Sequence, residues 1–285
     1  MTTSHTKLLG LLGHPVSHSR SPAIHTAALA ALGVDATYLA FDVPEPGLAS
    51  AVAGLDALGA LGVNVTVPHK VAVMGHLDGL DSAASAIGAV NTITRDGDGW
   101  VGRNTDAPGL VRSLLEADVD PTGANVLVLG AGGAARAAVV GLSEAAASGV
   151  TIAARRLDRA EALVSSVETR APLHAADLKG LQVGQFDLLI QATSATMGPH
   201  AETFARSLPI AELPDHATVM DLVYAPLETT VLAAARARGL RTVDGLGMLI
   251  WQAALALEHW LALPEALPPA VIASMRAAAL ATLSA

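Results

Sequence analysis

The 285-residue chain contains no cysteine. Disulfides, thiolate metal sites and cysteine nucleophiles are therefore excluded, and the composition fits a cytoplasmic location. Aromatic residues make up only 3%, so a core must be built from Ala, Leu and Val. Charge is scarce too, at 15%, and acids outnumber bases 26 to 17 for a formal net charge of -9. No long basic run is present, which disfavours a nucleic-acid partner, because phosphate neutralisation dominates that binding. No charge-free apolar stretch reaches membrane-spanning length, so no membrane partner is expected. The run Leu8–Leu12 is stopped by Gly13 and Pro15 and reads as a first strand rather than a signal peptide. The ten histidines show no HExxH or similar ligand spacing, so no metal is expected. No Gly-x-Ser-x-Gly elbow marks a serine hydrolase.

What is present is apolar and alternating. Hydrophobic residues make up 52%, enough for a large core, and the length suits two domains. Strand-like runs alternate with alanine- and leucine-rich helices, which predicts an α/β fold with parallel sheets. In the first half, strands are expected at Leu8–Leu12, Ala36–Asp42 and Gly62–Val67, with helices at Ser21–Leu32 and Leu48–Leu58. Ala89–Thr94 and Trp100–Gly102 flank Asp96-Gly97 as a hairpin, and Pro108–Ala117 is a helix. In the second half, strands are expected at Val150–Ala154, Leu188–Gln191, Thr218–Leu222 and Arg241–Val243. Helices are expected at Thr229–Arg238, Leu246–Leu263 and Ala270–Leu283.

One turn carries specific chemistry. VLVLGAGG (Val126–Gly133) leads into AARAAVVGL, an apolar strand, a Gly-x-Gly and an alanine-rich helix. This is the dinucleotide-binding fingerprint of a Rossmann-type domain. Gly130 permits the tight turn, Gly132 lets backbone approach a pyrophosphate, and Ala135 allows close helix–strand packing. The helix N-terminus offers N–H groups and a positive dipole end to the phosphates. A second strand, Val150–Ala154, ends in Arg155 and Arg156, with Arg159 one turn later. NAD would call for an acid there to bind the ribose 2′-hydroxyl. Arginines suit a 2′-phosphate, which they clamp in a bidentate way, so the expected cofactor is NADP.

Four polar strings stand in otherwise apolar surroundings: VSHSRS (Val16–Ser21), VNVTVPHK (Val63–Lys70), IGAVNT (Ile87–Thr92) and GRNTD (Gly102–Asp106). Each falls at a strand end or in the loop after it, where open α/β sheets bind ligands. A shared small polar ligand would satisfy groups that are costly to bury alone. Singly, each residue has a plainer role. Lys70 could be a surface lysine and Asp106 a helix N-cap. Ser19 and Ser21 could cap the first helix, with Ser21 well placed before Pro22. Thr66 and Asn91 could satisfy buried backbone, and Tyr224 could be a half-buried strand aromatic. His18 and His69 read as structural or rim residues.

Taken together, the strings resemble the shikimate dehydrogenase family over nearly the whole chain. GHPVSHSRSP (Gly13–Pro22), GVNVTVPHK (Gly62–Lys70), IGAVNT, GRNTD and GAGGAAR (Gly130–Arg136) match in order and spacing. ATS (Ala192–Ser194), DLVYAP (Asp221–Pro226) and DGLGMLIWQA (Asp244–Ala253) complete the set. The resemblance implies reversible NADPH-dependent reduction of 3-dehydroshikimate to shikimate, in the pathway to chorismate and the aromatic amino acids. It implies an N-terminal substrate domain, residues 1–106 with the helices of about 246–285 packing back on it. It also implies a Rossmann-type NADP domain, residues 107–245, with a cleft between the two.

By the same resemblance Lys70 and Asp106 form the catalytic pair, and Ser19 and Ser21 hold the substrate carboxylate. Thr66, Asn91 and Gln252 bond the ring hydroxyls and the carboxylate end, and Tyr224 lies beside the substrate. Gly130, Ala131, Gly132, Gly133, Ala134, Arg155, Arg156, Arg159, Thr193, Gly245 and Met248 fall at the cofactor. The chemistry is consistent with these residue types. Hydride arriving at a ketone carbon builds charge on oxygen, and a proton donor must stand there. Burial and the neighbouring aspartate act on such a lysine in opposite senses, so the two are a coupled pair.

The chain departs from the family in places. Ala154 stands where Asn is frequent, Arg156 where Thr is common, and Gln191 where the family usually has Asn. Asp158 sits in the basic segment, and Thr229-Thr230 replaces a Thr-Pro pair. These changes bear on cofactor preference more than on the reaction class. Two other readings stay open: an NAD-linked relative acting on quinate or an analogue, and a non-catalytic NADP sensor. A monomer or a homodimer is expected.

Overall fold

The computed structural model describes residues 2–283. The chain divides into two compact units, one formed by residues up to Thr105 and from Gln252 onward, the other by Asp106–Trp251.

The first unit opens with β1 (Lys7–Gly13), α1 (Ser21–Leu32), β2 (Ala36–Asp42), α2 (Leu48–Ala57) and β3 (Gly62–Val65). It continues with β4 (Gly79–Leu80), α3 (Ser82–Ile87), β5 (Thr92–Asp96) and β6 (Gly99–Arg103). Its six strands lie in the order β2-β1-β3-β5-β6-β4. β1 pairs parallel with β2 and β3, whereas β5 runs antiparallel to both β3 and β6. The hairpin forms, but its turn is Gly97-Asp98 rather than Asp96-Gly97, because Asp96 still pairs with Gly99; Gly97 takes φ +60, the left-handed value such turns need. Its core gathers Leu12, Val52, Val63, Val65, Ile93 and Trp100.

The second unit holds α4 (Asp106–Glu116), β7 (Asn125–Leu129), α5 (Gly133–Glu144), β8 (Gly149–Ala154), α6 (Leu157–Ser166) and β9 (Leu173–Asp177). β10 (Leu188–Gln191), α7 (Ala201–Ser207), β11 (Thr218–Asp221), α8 (Thr230–Ala237) and β12 (Arg241–Val243) follow. Its strands lie in the order β12-β11-β10-β7-β8-β9 and all pair in parallel. Read from β9, that is the doubly wound order 3-2-1-4-5-6, whose switch point lies between β7 and β10. β10 and β11 are buried along their whole length, the pattern of strands covered on both faces. α6 and the edge strand β9 lie between Ala154 and Leu188, where the sequence reading places no element.

α9 (Leu246–Trp260) spans the boundary between the units, and α10 (Pro269–Leu283) packs along α1. Trp260 at the end of α9 sits against Gly62, where any Cβ would collide with its ring. Its Nε1 donates to the Ile93 carbonyl at 2.9 Å.

Several expected bounds shift: Ala89–Thr94 becomes Thr92–Asp96, the helix from Pro108 starts at Asp106, and the helix expected to run to Leu263 ends at Trp260. The strand predicted to run to Val67 stops at Val65, because the chain turns through Pro68. Ser21 is the first helical residue of α1 rather than its cap. Arg20 holds the cap position and makes no side-chain capping bond. The Ser19 Oγ instead accepts the Ser21 backbone N–H at 3.3 Å.

Candidate active site

In the second unit the glycine-rich turn follows β7. Gly130 has φ +113 and donates its N–H to the Ala153 carbonyl at 2.8 Å. A Cβ there would stand 2.7 Å from Thr193 Cγ2, so the turn after β7 and the loop after β10 meet at the switch point. Gly132 is extended, caps α5 without a side-chain bond, and has nothing within 4 Å of its missing Cβ. Gly133 faces the same open space. The first-turn N–H groups of α5 therefore look onto room for a phosphate. Ala135 is fully buried, as close packing of the helix requires.

A cavity of about 720 Å³ opens from this turn. Gly130, Ala131 and Thr193 line one end, and Arg155, Arg156 and Arg159 line another. Arg156 Nε lies 3.9 Å from Asp158 Oδ1, both side chains exposed, a separation at which an ion pair is weak. The remaining wall comes from α7 and the turn before it, through His200, Thr203 and Phe204. Sequence reasoning missed this wall, because His200 and Phe204 stand in a segment with no motif. Shape, charge and glycine clearance thus fit a dinucleotide with an extra phosphate.

The loop after β10 is braced from below. Gln191 is fully buried, and its Oε1 accepts both the backbone N–H and the Oγ1 of Thr193 at 2.6 Å. Its Nε2 donates to Thr196 Oγ1 and to Asp221 Oδ1, both at 3.1 Å. Asp221 also accepts from the Val223 N–H at 3.0 Å and from Thr229 Oγ1 at 2.7 Å. Burial pushes its carboxyl above the ordinary value, against these hydrogen bonds. Half-buried Tyr224 follows in the same loop. At Gly245 a Cβ would collide with the Leu222 carbonyl, which explains a glycine there by packing alone. Met248 is buried on α9.

The first unit gathers the polar strings. Ser19 and Ser21 stand half-buried at the start of α1, and Thr66 directly follows β3. Gly13 makes room for Thr66, whose Cγ2 fills the place a Cβ would take. Half-buried Lys70 ends the turn after β3, and its carbonyl accepts the Val90 N–H at 2.8 Å. That bond sets Lys70 beside the segment that carries Asn91. Asn91 is buried and accepts the Thr105 N–H on Oδ1 at 2.8 Å. Asp106, the next residue, is 8% exposed and opens α4. His69 is buried with Nε2 2.6 Å from the Val43 carbonyl, a structural role, while His18 is exposed. Gln252 is half-buried on α9. Among the described residues no three acidic or histidine side chains lie close enough to hold a metal, and no helix is long and apolar enough to cross a membrane.

Sequence profiles match two stretches of the chain: the shikimate dehydrogenase substrate binding domain over residues 11–93, and shikimate / quinate 5-dehydrogenase over residues 113–224. The NADP(+) shikimate dehydrogenase of Symbiobacterium thermophilum is 46% identical over 264 residues, 89% of this chain and 88% of that protein. A crystal structure of a shikimate dehydrogenase with NADP+ superposes with a TM-score of 0.90 at 36% identity, covering 99% of this chain and 98% of the other. The ligand-free 5-ketofructose reductase of a Gluconobacter strain superposes with a TM-score of 0.88, also at 36% identity, over 96% of this chain and 99% of that one.

Proposed function

The chain belongs to the shikimate dehydrogenase family, and from that membership we propose that it reduces 3-dehydroshikimate to shikimate, reversibly, with NADPH. The observation that carries the choice of cofactor is the arginine-lined cavity beside the Gly130 turn. Arg155, Arg156 and Arg159 hold the 2′-phosphate, and the backbone of Gly130, Ala131, Gly132, Gly133 and Ala134 takes the pyrophosphate. Thr193, Gly245 and Met248 complete the cofactor's surroundings. When bound, NADPH supplies the hydride.

The chain's own residues orient the substrate and handle the proton. Ser19 and Ser21 bind the carboxylate through their hydroxyls. Thr66, Asn91 and Gln252 bond the ring hydroxyls and the carboxylate end, with Tyr224 alongside. Lys70 delivers the proton to the ketone oxygen and takes it back in the reverse direction. Asp106 orients the ammonium group and shares its proton. A cytoplasmic enzyme working as a monomer or homodimer fits this role.

The test is reduction of cofactor on mixing purified protein with shikimate and NADP+, beside assays with NAD+, quinate and, in the reducing direction, 5-ketofructose. Turnover confined to shikimate and NADP+ is expected. Preference for quinate with NAD+, or for 5-ketofructose, overturns the substrate assignment. Cofactor binding without turnover on any of them would make the protein a sensor.

A further inference from the structure

Beneath the polar strings of the first unit runs a buried chain of side chains, of which only Asn91 carries a role above. The Tyr38 hydroxyl donates to Asn64 Oδ1 at 2.7 Å. Asn64 Nδ2 donates to Thr92 Oγ1 at 3.2 Å and to the Asn91 carbonyl at 3.3 Å. Thr92 Oγ1 donates to Asn91 Oδ1 at 3.0 Å, and Asn91 Nδ2 donates to Thr105 Oγ1 at 2.9 Å. Tyr38, Asn64, Asn91, Thr92 and Thr105 are all buried.

Two backbone groups set the sense of the chain, the Thr105 N–H at one end and the Asn91 carbonyl, which can only accept, at Asn64. The Thr105 N–H can only donate, and it meets Asn91 Oδ1 at 2.8 Å. That fixes which end of the Asn91 amide is oxygen. Thr92 Oγ1 accepts from Asn64 and has two acceptors within reach, Asn91 Oδ1 at 3.0 Å and Thr105 Oγ1 at 3.2 Å. Asn64 must turn its Nδ2 toward Thr92 and its Oδ1 toward Tyr38, and Tyr38 must donate. Reversing either amide leaves a buried group unsatisfied, at a cost large enough to hold one orientation. The far end is held by packing. The His25 ring stacks on Tyr38 with centroids 4.2 Å apart and 10° between planes, and the Trp260 ring lies 5.3 Å from His25.

We propose that Tyr38 and Asn64, acting through Thr92, are positioning residues that lock the Asn91 carboxamide and the Asn91–Thr105 link that leads into Asp106. The proposal rests on the reading of Asn91 as a substrate ligand and goes beyond it. With its Oδ1 already taken by Thr105 and Thr92, Asn91 meets the substrate only as an N–H donor. The group it selects is an oxygen with a free lone pair, not a donor.

The test compares Tyr38→Phe, Thr92→Val and Thr92→Ser in the full chain. The first two remove a hydroxyl with little change of shape, and the third restores it. The expected result is a rise of about 10-fold in KM for shikimate in Tyr38→Phe and Thr92→Val, with KM for NADP+ unmoved and Thr92→Ser close to wild type. A second readout needs no turnover. Asparagine occurs only at Asn64, Asn91, Asn104 and Asn125, so selective ¹⁵N-asparagine labelling resolves each side-chain amide. Exchange of the Asn64 and Asn91 side-chain protons should speed up in Tyr38→Phe and Thr92→Val, with Asn125 unchanged. Unchanged exchange together with an unchanged shikimate KM overturns the proposal, as does a parallel rise in both KM values. If the wild-type protein does not turn over shikimate, the functional reading falls, and the exchange rates still decide whether the relay exists.

Discussion

Gln191 Nε2 donates to Asp221 Oδ1 at 3.1 Å, joining the buried ends of two neighbouring parallel strands directly below the cofactor loop. The family usually carries Asn at the first position. The longer amide reaches Asp221 on one side and clasps Thr193 on the other. Asp221 in turn gathers donors from Val223 and Thr229. Asp221→Ala leaves three donors without their acceptor and should cost about 2–3 kcal/mol of stability. Asp221→Asn keeps an acceptor for Gln191 and Val223 and should cost no more than about 1 kcal/mol. Because the native carboxyl is raised above its unfolded value, its stabilisation is complete below the ordinary carboxylate range and is lost as pH rises through the native value. Urea titrations from about pH 4 upward should show wild type losing stability relative to Asp221→Asn. A flat difference would contradict the buried, reluctantly ionised carboxyl.

Arg155 faces the cavity from the end of β8, beside Arg156 and Arg159. Charge-assisted bonds to a phosphate contribute about 1.5–3 kcal/mol each, so Arg155→Ala should weaken NADP+ binding by roughly 10- to 150-fold. NAD+ lacks the 2′-phosphate, and its affinity should barely change. Calorimetric titration with both cofactors measures the two numbers side by side. An equal loss for NAD+ would place the arginine on another part of the dinucleotide.

Lys70 is assigned to the proton and not to substrate affinity. Lys70→Ala should lower turnover by roughly 10²–10⁴-fold while shikimate binding is largely kept. Steady-state rates with an independent binding measurement separate the two effects. Full activity in the variant would remove Lys70 from the mechanism.

The second unit was more legible in the sequence than the first, and the reason lies in its strands. β7, β8, β10 and β11 are short apolar runs followed by glycine, arginine or polar turns, and their bounds match the expected ones to within a residue or two. The edge strand β9 mixes exposed and half-buried positions, so LHAAD has no period to read. The cavity wall from α7 depends on where a motif-free helix folds back, which only tertiary structure decides. In the first unit the strings holding Ser19, Thr66, Lys70 and Asn91 stood out as polar islands in apolar surroundings. Tyr38 did not, because an aromatic in a strand looks like core. Its partner Asn64 lies inside one of those strings, but only the fold pairs the two across 26 residues. The helix α1 has the expected bounds Ser21–Leu32, so Ser21 is its first residue and the plainer reading of it as a cap does not hold.

His25 is the buried ionisable group of the first unit with neither ring nitrogen hydrogen-bonded. Burial lowers its pKa to about 3, so the ring is neutral against Tyr38 across ordinary pH. A depressed histidine contributes stability that is complete above its unfolded value near 6.5 and lost as pH falls toward 3. His25→Leu is close in volume and has no nitrogens to leave unsatisfied. At neutral pH it loses a ring stack and gains by removing two unpaired polar atoms, so the two proteins should agree within about 1 kcal/mol. At about pH 4 the wild type must keep neutral a ring that the unfolded chain protonates, and the variant should be more stable by about 3 kcal/mol. Paired urea titrations across this range give the difference curve, which should slope in the opposite sense to that of Asp221→Asn. A difference that stays constant with pH would mean that His25 takes up its proton in the native protein and that the Tyr38 stack tolerates a charge.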